Sequence, residues 1–309
     1  MNTTPLNASE LKAIAKEIGF LNIGIAKAKK LDREAKHLET WLTNSYHGEM
    51  SYMERYFDQR IDPEVMMPGT KSIITLSFNY FQEKAENTEV QIARYAYGKD
   101  YHLTLKQKAK QLIQWLETKY GNIQARAFVD SAPVMEREWA KRSGIAWSGR
   151  NTLSIHPKEG SYFFLVCIFT DLSFQEDQAM ADYCGTCRKC IEACPTEAIH
   201  PDGYLLDASK CISYLTIELK NEIPQEFLGK MKDWIFGCDI CQEVCPWNRF
   251  AKKTIEPDFQ KNEAIVHMNT KDWLALEEES FNILTKASPL KRTKWKGLKR
   301  NVIFAKNNG

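Results

Sequence analysis

The sequence predicts an α/β (α+β) domain over residues 1–175, a cysteine-rich domain over 176–255 and a short, basic helical tail over 256–309. Three observations predict this. Strand-like and helix-like apolar periodicities alternate through the first 172 residues, eight of the nine cysteines fall between 184 and 245, and from residue 280 onward eight Lys or Arg stand without an Asp or Glu.

Each element has its own signal. ASELKAIAKEIGF (8–20) reads as an amphipathic helix with Ser9 as N-cap and Gly19 at its C-terminal end. NIGIAKA (22–28) reads as a short strand and KSIITLSFNYF (71–81) as a stronger one. LTLKQKAKQLIQWLETKYG (103–121) is a helix ending at Gly121. QARAFVDSAP (124–133) is a strand that breaks before Pro133, and MEREWAKRSGI (135–145) is a helix. YFFLVCIFTDL (162–172) is an apolar, buried strand. Such alternation layers helices on a sheet.

Composition narrows the class. Hydrophobic content of 43% and charged content of 27% are those of a soluble globular chain, and 309 residues allow a sizeable core. No apolar run approaches the roughly 20 residues of a membrane span. The N-terminus lacks a basic stretch followed by an apolar one, so a cytoplasmic protein with no membrane partner is expected. The net charge of +2 is uneven: without the eight cations of the tail, 34 basic residues face 40 acidic ones. A basic tail on an acidic body suggests a polyanionic partner.

CGTCRKCIEACP (184–195) fits C-x2-C-x2-C-x3-C-P without a mismatch. This is the spacing of bacterial ferredoxins, in which three cysteines grip one 4Fe–4S cluster and the fourth serves a second. A second half is present as CDICQEVCP (238–246), with Cys211 supplying the cysteine it lacks. The expected ligand sets are Cys184, Cys187, Cys190 and Cys245 for one cluster, and Cys194, Cys211, Cys238 and Cys241 for the other. Two zinc sites are the competing reading. Zinc is satisfied by paired C-x2-C units and does not call for a third cysteine and a C-x3-C-P ending. Cys167, inside FFLVCIF, reads as an inert buried strand residue.

Five segments carry a more specific signal: RYAYGKDYH (94–102), FVDSAP (128–133), SGIAWSGRNTLSI (143–155), CISYLTIEL (211–219) and GCDICQEVCPWN (237–248). With the cluster motifs they make the chain resemble the epoxyqueuosine reductase family over nearly its whole length. The resemblance implies a cytoplasmic, monomeric oxidoreductase that reduces epoxyqueuosine at the tRNA wobble position, with two 4Fe–4S clusters, cobalamin and an external low-potential electron donor. It also implies a cobalamin domain, a ferredoxin-like domain and helical repeats. Here PLKRTKWKGLKRNVIFAKNNG (289–309) looks like a single HEAT-like remnant, in which Arg292, Lys294, Lys299 and Arg300 are the candidate tRNA contacts. For Trp295, a core anchor is favoured over a stacking platform.

The resemblance also implies site residues. Epoxide opening leaves an alkoxide that needs a proton, which a carboxylic acid kept protonated by burial can give. Asp130, at the end of an apolar strand, is the candidate; the competing reading is a helix cap or turn former. The register of FVDSAP with the family's proton-donor motif favours the acid. Arg60, Gly149, Asn151, Ser154, Leu165, Ser213 and Asp239 carry over as cobalamin-pocket positions, as does Asp130. Asp100-Tyr101-His102 begins a D-x-H-x-x-G string, but Leu105 stands at the glycine position. His102 is therefore expected to be structural, and the cobalamin base-off with no protein ligand below cobalt. The alternative enzyme is a reductive dehalogenase-like corrinoid protein, which would not need a basic tail. A simple electron carrier would leave the first 170 residues unused.

Overall fold

The computed structural model describes residues 4–86 and 88–307. Its main elements in chain order are α1 (Ser9–Ile18), β1 (Asn22–Lys27), α2 (Asp32–Thr43), β2 (Ser72–Asn79), α3 (Tyr101–Tyr120), β3 (Ala125–Phe128), α4 (Glu136–Arg142), β4 (Phe163–Thr170), α5 (Ile212–Ile217), β5 (Trp234–Phe236) and α6 (Lys294–Lys306). Every helix and strand expected before residue 172 is present, with trimmed ends except that α3 begins two residues earlier than expected, at Tyr101. Gly19 takes φ 105° and closes α1, as its position suggested. Ser9 is not the N-cap: Ala8 stands at that position without a side-chain cap, Ser9 opens the helix proper, and Asn7 Oδ1 accepts the Ser9 backbone N–H at 2.7 Å.

The sheet order is β1-β2-β4-β3, and every neighbouring pair is antiparallel. Alternating helices and strands suggest parallel neighbours, and the structure departs from that expectation in one way. Strands β2 and β3 do run parallel and are joined through α3, but β4 inserts between them. The insertion has a physical cause. A central position buries a strand on both faces, and FFLVCIFT is apolar enough to fill it. Ile74, Leu76, Phe164, Val166 and Ile168 face α1 and α3, while Ile73, Phe128, Cys167 and Phe169 face Leu31 and Trp139 on the other side. Each such side chain contributes about 1.5–3 kcal/mol by leaving water. Cys167 is fully buried in this second layer, as its apolar surroundings implied. Gly24 on β1 is required sterically, because a Cβ there would lie 2.0 Å from the Ser143 carbonyl oxygen.

The second half is stitched to the first. Gln91 and Ile92 pair in parallel with β5. Val90, Ile92 and Tyr97 share one apolar cluster with Ile235, Phe236, Trp273, Phe281, Leu298 and Val302. The tail is thus not an appendage on an acidic body. Helix α6 buries its apolar stripe against β5, and the fully buried Asn301 donates to the carbonyls of Thr216 and Ile235 at 2.7 and 2.9 Å. The Trp295 indole donates to Leu276 O at 2.8 Å and packs on the same cluster. The expected boundary at 255 therefore crosses a continuous core. Among the described residues, no helix is long and apolar enough to cross a membrane.

Candidate active site

Asp130 follows β3 in a left-handed backbone conformation, φ 49°. Its carboxylate accepts the Tyr101 hydroxyl, and its backbone N–H donates to Glu136 Oε1 at 2.8 Å. Tyr101 opens α3 after Asp100, whose side chain caps that helix through the His102 N–H. The Tyr101 ring stacks on Phe164 of β4 at 4.0 Å. Burial, and next the Asp130 charge, push the Tyr101 hydroxyl well above its ordinary range, so it serves as a fixed donor.

Burial was expected at Asp130 and is found at its neighbour. Asp130 is exposed, because its strand has already ended, whereas the partly buried Glu136 has its carboxyl pushed up to about 8 by burial and then by the Asp130 charge. The acids and hydroxyl around Asp130 were not singled out from sequence. The run VDSAPVMERE, with acids at 130, 136 and 138, held that signal. Tyr52, pushed up to about 12 by burial and the Glu218 charge, and Arg292 both feel the Asp130 charge.

Cysteines of the 184–245 segment lie close enough to feel one another's charge. Burial raises the Cys190 thiol to about 11, with Cys184, Cys245 and Cys187 adding to it. Burial likewise raises Cys241, with Cys211 and Cys194 next, and Cys238, with Cys211 and Cys241 contributing. The Cys190 charge also reaches Cys241, so the two expected sets lie next to each other. Thiols crowded in this way cannot ionise together without cationic metal, so the donor set fits iron–sulfur cubes.

The SGRNT turn links the second quartet to the sheet domain. Asn151 Nδ2 donates to the Cys241 carbonyl at 3.3 Å, and Asn151 Oδ1 accepts the Leu153 N–H at 3.2 Å. At Gly149 a Cβ would lie 2.5 Å from the Ile155 Cδ1 and 2.7 Å from the Asn151 Oδ1, so a larger residue would displace those two side chains. Ser154 Oγ and Arg60 Nε are buried without a protein partner. Leu165 is the half-exposed residue of an otherwise buried β4. Orphaned donors and a bared apolar residue fit a large amide-rimmed ligand such as cobalamin. Ser213 is half-buried, two residues from Cys211. Asp239 is tied to Arg94. Its Oδ2 accepts the Arg94 N–H at 2.8 Å and the Arg94 guanidinium at 3.0 Å, because burial of this carboxylate demands a cation. His102 Nδ1 lies 2.7 Å from Asp100 Oδ1 and its ring stacks on Tyr101, which makes it structural.

The tail cations divide. Arg300 directs its guanidinium at the carbonyls of Leu215, Leu219 and Asn221, and so holds the fold. Arg292 forks onto Glu218 at 2.9 and 3.2 Å, Lys294 is exposed, and Lys299 lies 5.0 Å over the Trp295 ring.

The fold and its cysteines define a protein with two 4Fe–4S clusters: the family described as "4Fe-4S double cluster binding domain" matches residues 183–248. The family described as "Epoxyqueuosine reductase QueG, DUF1730" matches residues 60–131. The epoxyqueuosine reductase of Cellulophaga algicola is 47% identical over 99% of this chain and 100% of its own length, and that of Escherichia coli is 36% identical over 97% and 81%. A crystal structure of epoxyqueuosine reductase with an epoxyqueuosine-modified tRNA stem loop superposes with a TM-score of 0.89 at 31% identity, covering 96% of this chain and 80% of that one. The chain belongs to the epoxyqueuosine reductase family, and is an oxidoreductase that reduces epoxyqueuosine to queuosine. A catabolic reductive dehalogenase shares the fold alone, with a TM-score of 0.51 at 17% identity over 98% of this chain and 38% of that one.

Proposed function

We propose that the chain acts on epoxyqueuosine within tRNA, as Asp130 protonates the oxygen released when the epoxide opens. The observation that carries this is the placement of Asp130: an exposed carboxyl fixed by Tyr101 on one side and Glu136 on the other. The overall reaction takes two electrons and two protons and releases the epoxide oxygen as water. Cobalamin, when bound, supplies an electron-rich cobalt that opens the epoxide with electrons drawn from the two clusters. Arg60, Gly149, Asn151, Ser154, Leu165 and Ser213 are the residues that would hold it. His102 is left out of that set, so the cobalamin is taken base-off with no protein ligand.

The protein's own groups prepare the proton transfer. Tyr101 orients Asp130 Oδ2, and the Glu136 acceptor fixes the turn that presents it. The tRNA-bound relative supports a tRNA substrate, for which Arg292, Lys294 and Lys299 are the phosphate contacts proposed here. The test is anaerobic incubation of the protein with cobalamin, reductant and epoxyqueuosine-containing tRNA, read by nucleoside mass spectrometry. Queuosine should form with the native chain and not with Asp130→Ala. Undiminished conversion by Asp130→Ala would remove Asp130 from the mechanism.

A further inference from the structure

The two stretches that hold the first cysteine quartet are YCGTCRKC (183–190) and CPWNRFAKK (245–253). Together they carry Arg188, Lys189, Arg249, Lys252 and Lys253, and no Asp or Glu. All five cations are exposed, and none makes an ion pair among the described residues. The charge of Lys252 reaches the Glu159 carboxyl, outside both stretches. Apolar surface lies among the cations: Tyr183 is 51% exposed and Phe250 is 37% exposed. The Arg249 guanidinium sits 4.2 Å over the Phe250 ring.

This face leads inward by ring contacts. Phe250 and Tyr183 each lie 6.2 Å from Trp247. Trp247 and Tyr183 both meet the edge of Trp147, at 5.1 and 5.2 Å. Trp147 is 1% exposed, and its indole N–H points at Cys184 Sγ at 3.5 Å. Cys241, of the second expected set, instead touches the SGRNT turn of the sheet domain. Electrons from outside therefore meet the first quartet before the second.

We propose that this basic, aromatic face docks a small acidic one-electron carrier protein, an inference that rests on the cluster reading above. In each encounter the carrier loses one electron and the first cluster gains it. Two encounters supply the two electrons that one epoxide consumes. The chemistry of the surface suits such a partner. Electron-transfer encounters use small interfaces, below about 1,200 Å2, steered by opposite charge. Aromatic residues and Arg are enriched at protein interfaces. RNA also carries negative charge, but its epoxide must reach Asp130. Tyr52, Tyr95, Tyr101, Glu136 and Arg292, which feel the Asp130 charge, lie outside this face.

The experiment mixes anaerobic holoenzyme with reduced flavodoxin, an acidic flavin protein, and follows bleaching of the cluster absorbance by stopped flow at several salt concentrations. Arg249→Glu with Lys253→Glu should slow bleaching roughly tenfold or more at low salt. The gap should close as salt rises, since the Debye length is about 10 Å at 0.1 M. Phe250→Ala should slow bleaching at every salt concentration. Dithionite, which needs no docking face, should bleach all variants as fast as the native protein. Equal flavodoxin rates in native and variant proteins would overturn the docking face while leaving the clusters in place. A loss of tRNA affinity in the charge-reversed variant, with its flavodoxin rate unchanged, would assign the face to RNA and overturn the proposal. Native protein without cluster absorbance would overturn the cluster reading itself.

Discussion

The Glu136 carboxylate accepts the backbone N–H of Asp130 at 2.8 Å, and through that bond a helix start governs a strand end. Asp130 is held at φ 49°, a conformation that costs a residue with a Cβ on the order of 1–3 kcal/mol unless its surroundings fix it. Glu136 and Tyr101 supply that fixing. Asp130→Asn should keep the turn and both clusters but cannot donate an acidic proton. Its kcat should fall about 10²–10⁴-fold with unchanged iron content. Single-turnover assays with modified tRNA, alongside iron analysis, check this; a fall in iron would point instead to a structural role.

Glu136 gives a pH prediction. Its carboxyl is raised from the ordinary 4.5 to about 8, first by burial and then by the Asp130 charge. The folded chain therefore holds this proton more tightly than the unfolded one. Stability from this group is fully present below about pH 4.5 and is lost as pH rises toward about 8. Glu136→Gln keeps an acceptor for the Asp130 N–H and removes the titration. Its Tm relative to the native protein should thus climb between pH 5 and pH 8. Parallel Tm curves across that range would show that Glu136 ionises normally.

Crossed ligation makes a third prediction. Cys211 lies 27 residues before Cys238 and 17 after Cys194, outside both short motifs, yet its thiol stands with theirs. Cys211→Ser should lower iron and sulfide from roughly eight of each toward four, as one cube is lost. Unchanged iron would mean that another residue completes the site.

Much of this was legible in the sequence, and the unread parts share a cause. Strand periodicity gave β1, β2 and β4, since apolar alternation is local. The double-cluster domain was legible because cluster geometry dictates short spacings. The insertion of β4 between β2 and β3 was not, because strand order depends on which strand tolerates burial on two faces. The tail read as a basic extension on an acidic body because its cations sit close together in sequence. In the fold, Leu298, Val302 and Ala305 turn inward while Lys294 and Lys296 remain exposed. Tyr101 and Glu136 were missed because their partner, Asp130, lies 29 and 6 residues away.

Asp239 shows how a conspicuous acid can serve the fold. Its carboxylate is 2% exposed, and burial raises it above the ordinary range while Arg94 opposes that shift. Asp239→Ala would leave the Arg94 guanidinium with only Glu243 as its acidic partner. Breaking such a buried pair costs about 3–5 kcal/mol. Urea unfolding should show a loss of that size in protein that still carries its clusters; a loss below about 1 kcal/mol would place the stabilising weight on Glu243.

The tail supplies the last prediction, and the structure sharpens it by separating cations of one short segment. Arg292 is 58% exposed and pairs with Glu218 on the surface, where such a pair is worth about 0–1 kcal/mol. A phosphate can therefore compete for it. Its guanidinium also lies 5.9 Å from the Tyr52 ring and senses the Asp130 charge, so it stands toward the reaction site. Lys299 rests on Trp295, whose indole is anchored to Leu276, and keeps its ammonium free of an ion pair among the described residues. Arg292→Ala with Lys299→Ala should weaken tRNA binding most at low salt. If both residues contact phosphate, the slope of log affinity against log salt should fall by about 0.7–0.9 for each contact. Sequence preference should not change, because phosphate contacts position without reading bases. Arg300→Ala is the contrast: its three carbonyl partners lose a buried donor, so it should lower Tm and leave the salt slope as it was. Titrations of tRNA at four or five salt concentrations with the native protein and both variants decide the matter. Equal slopes in native and double-variant protein would remove the tail from the RNA surface.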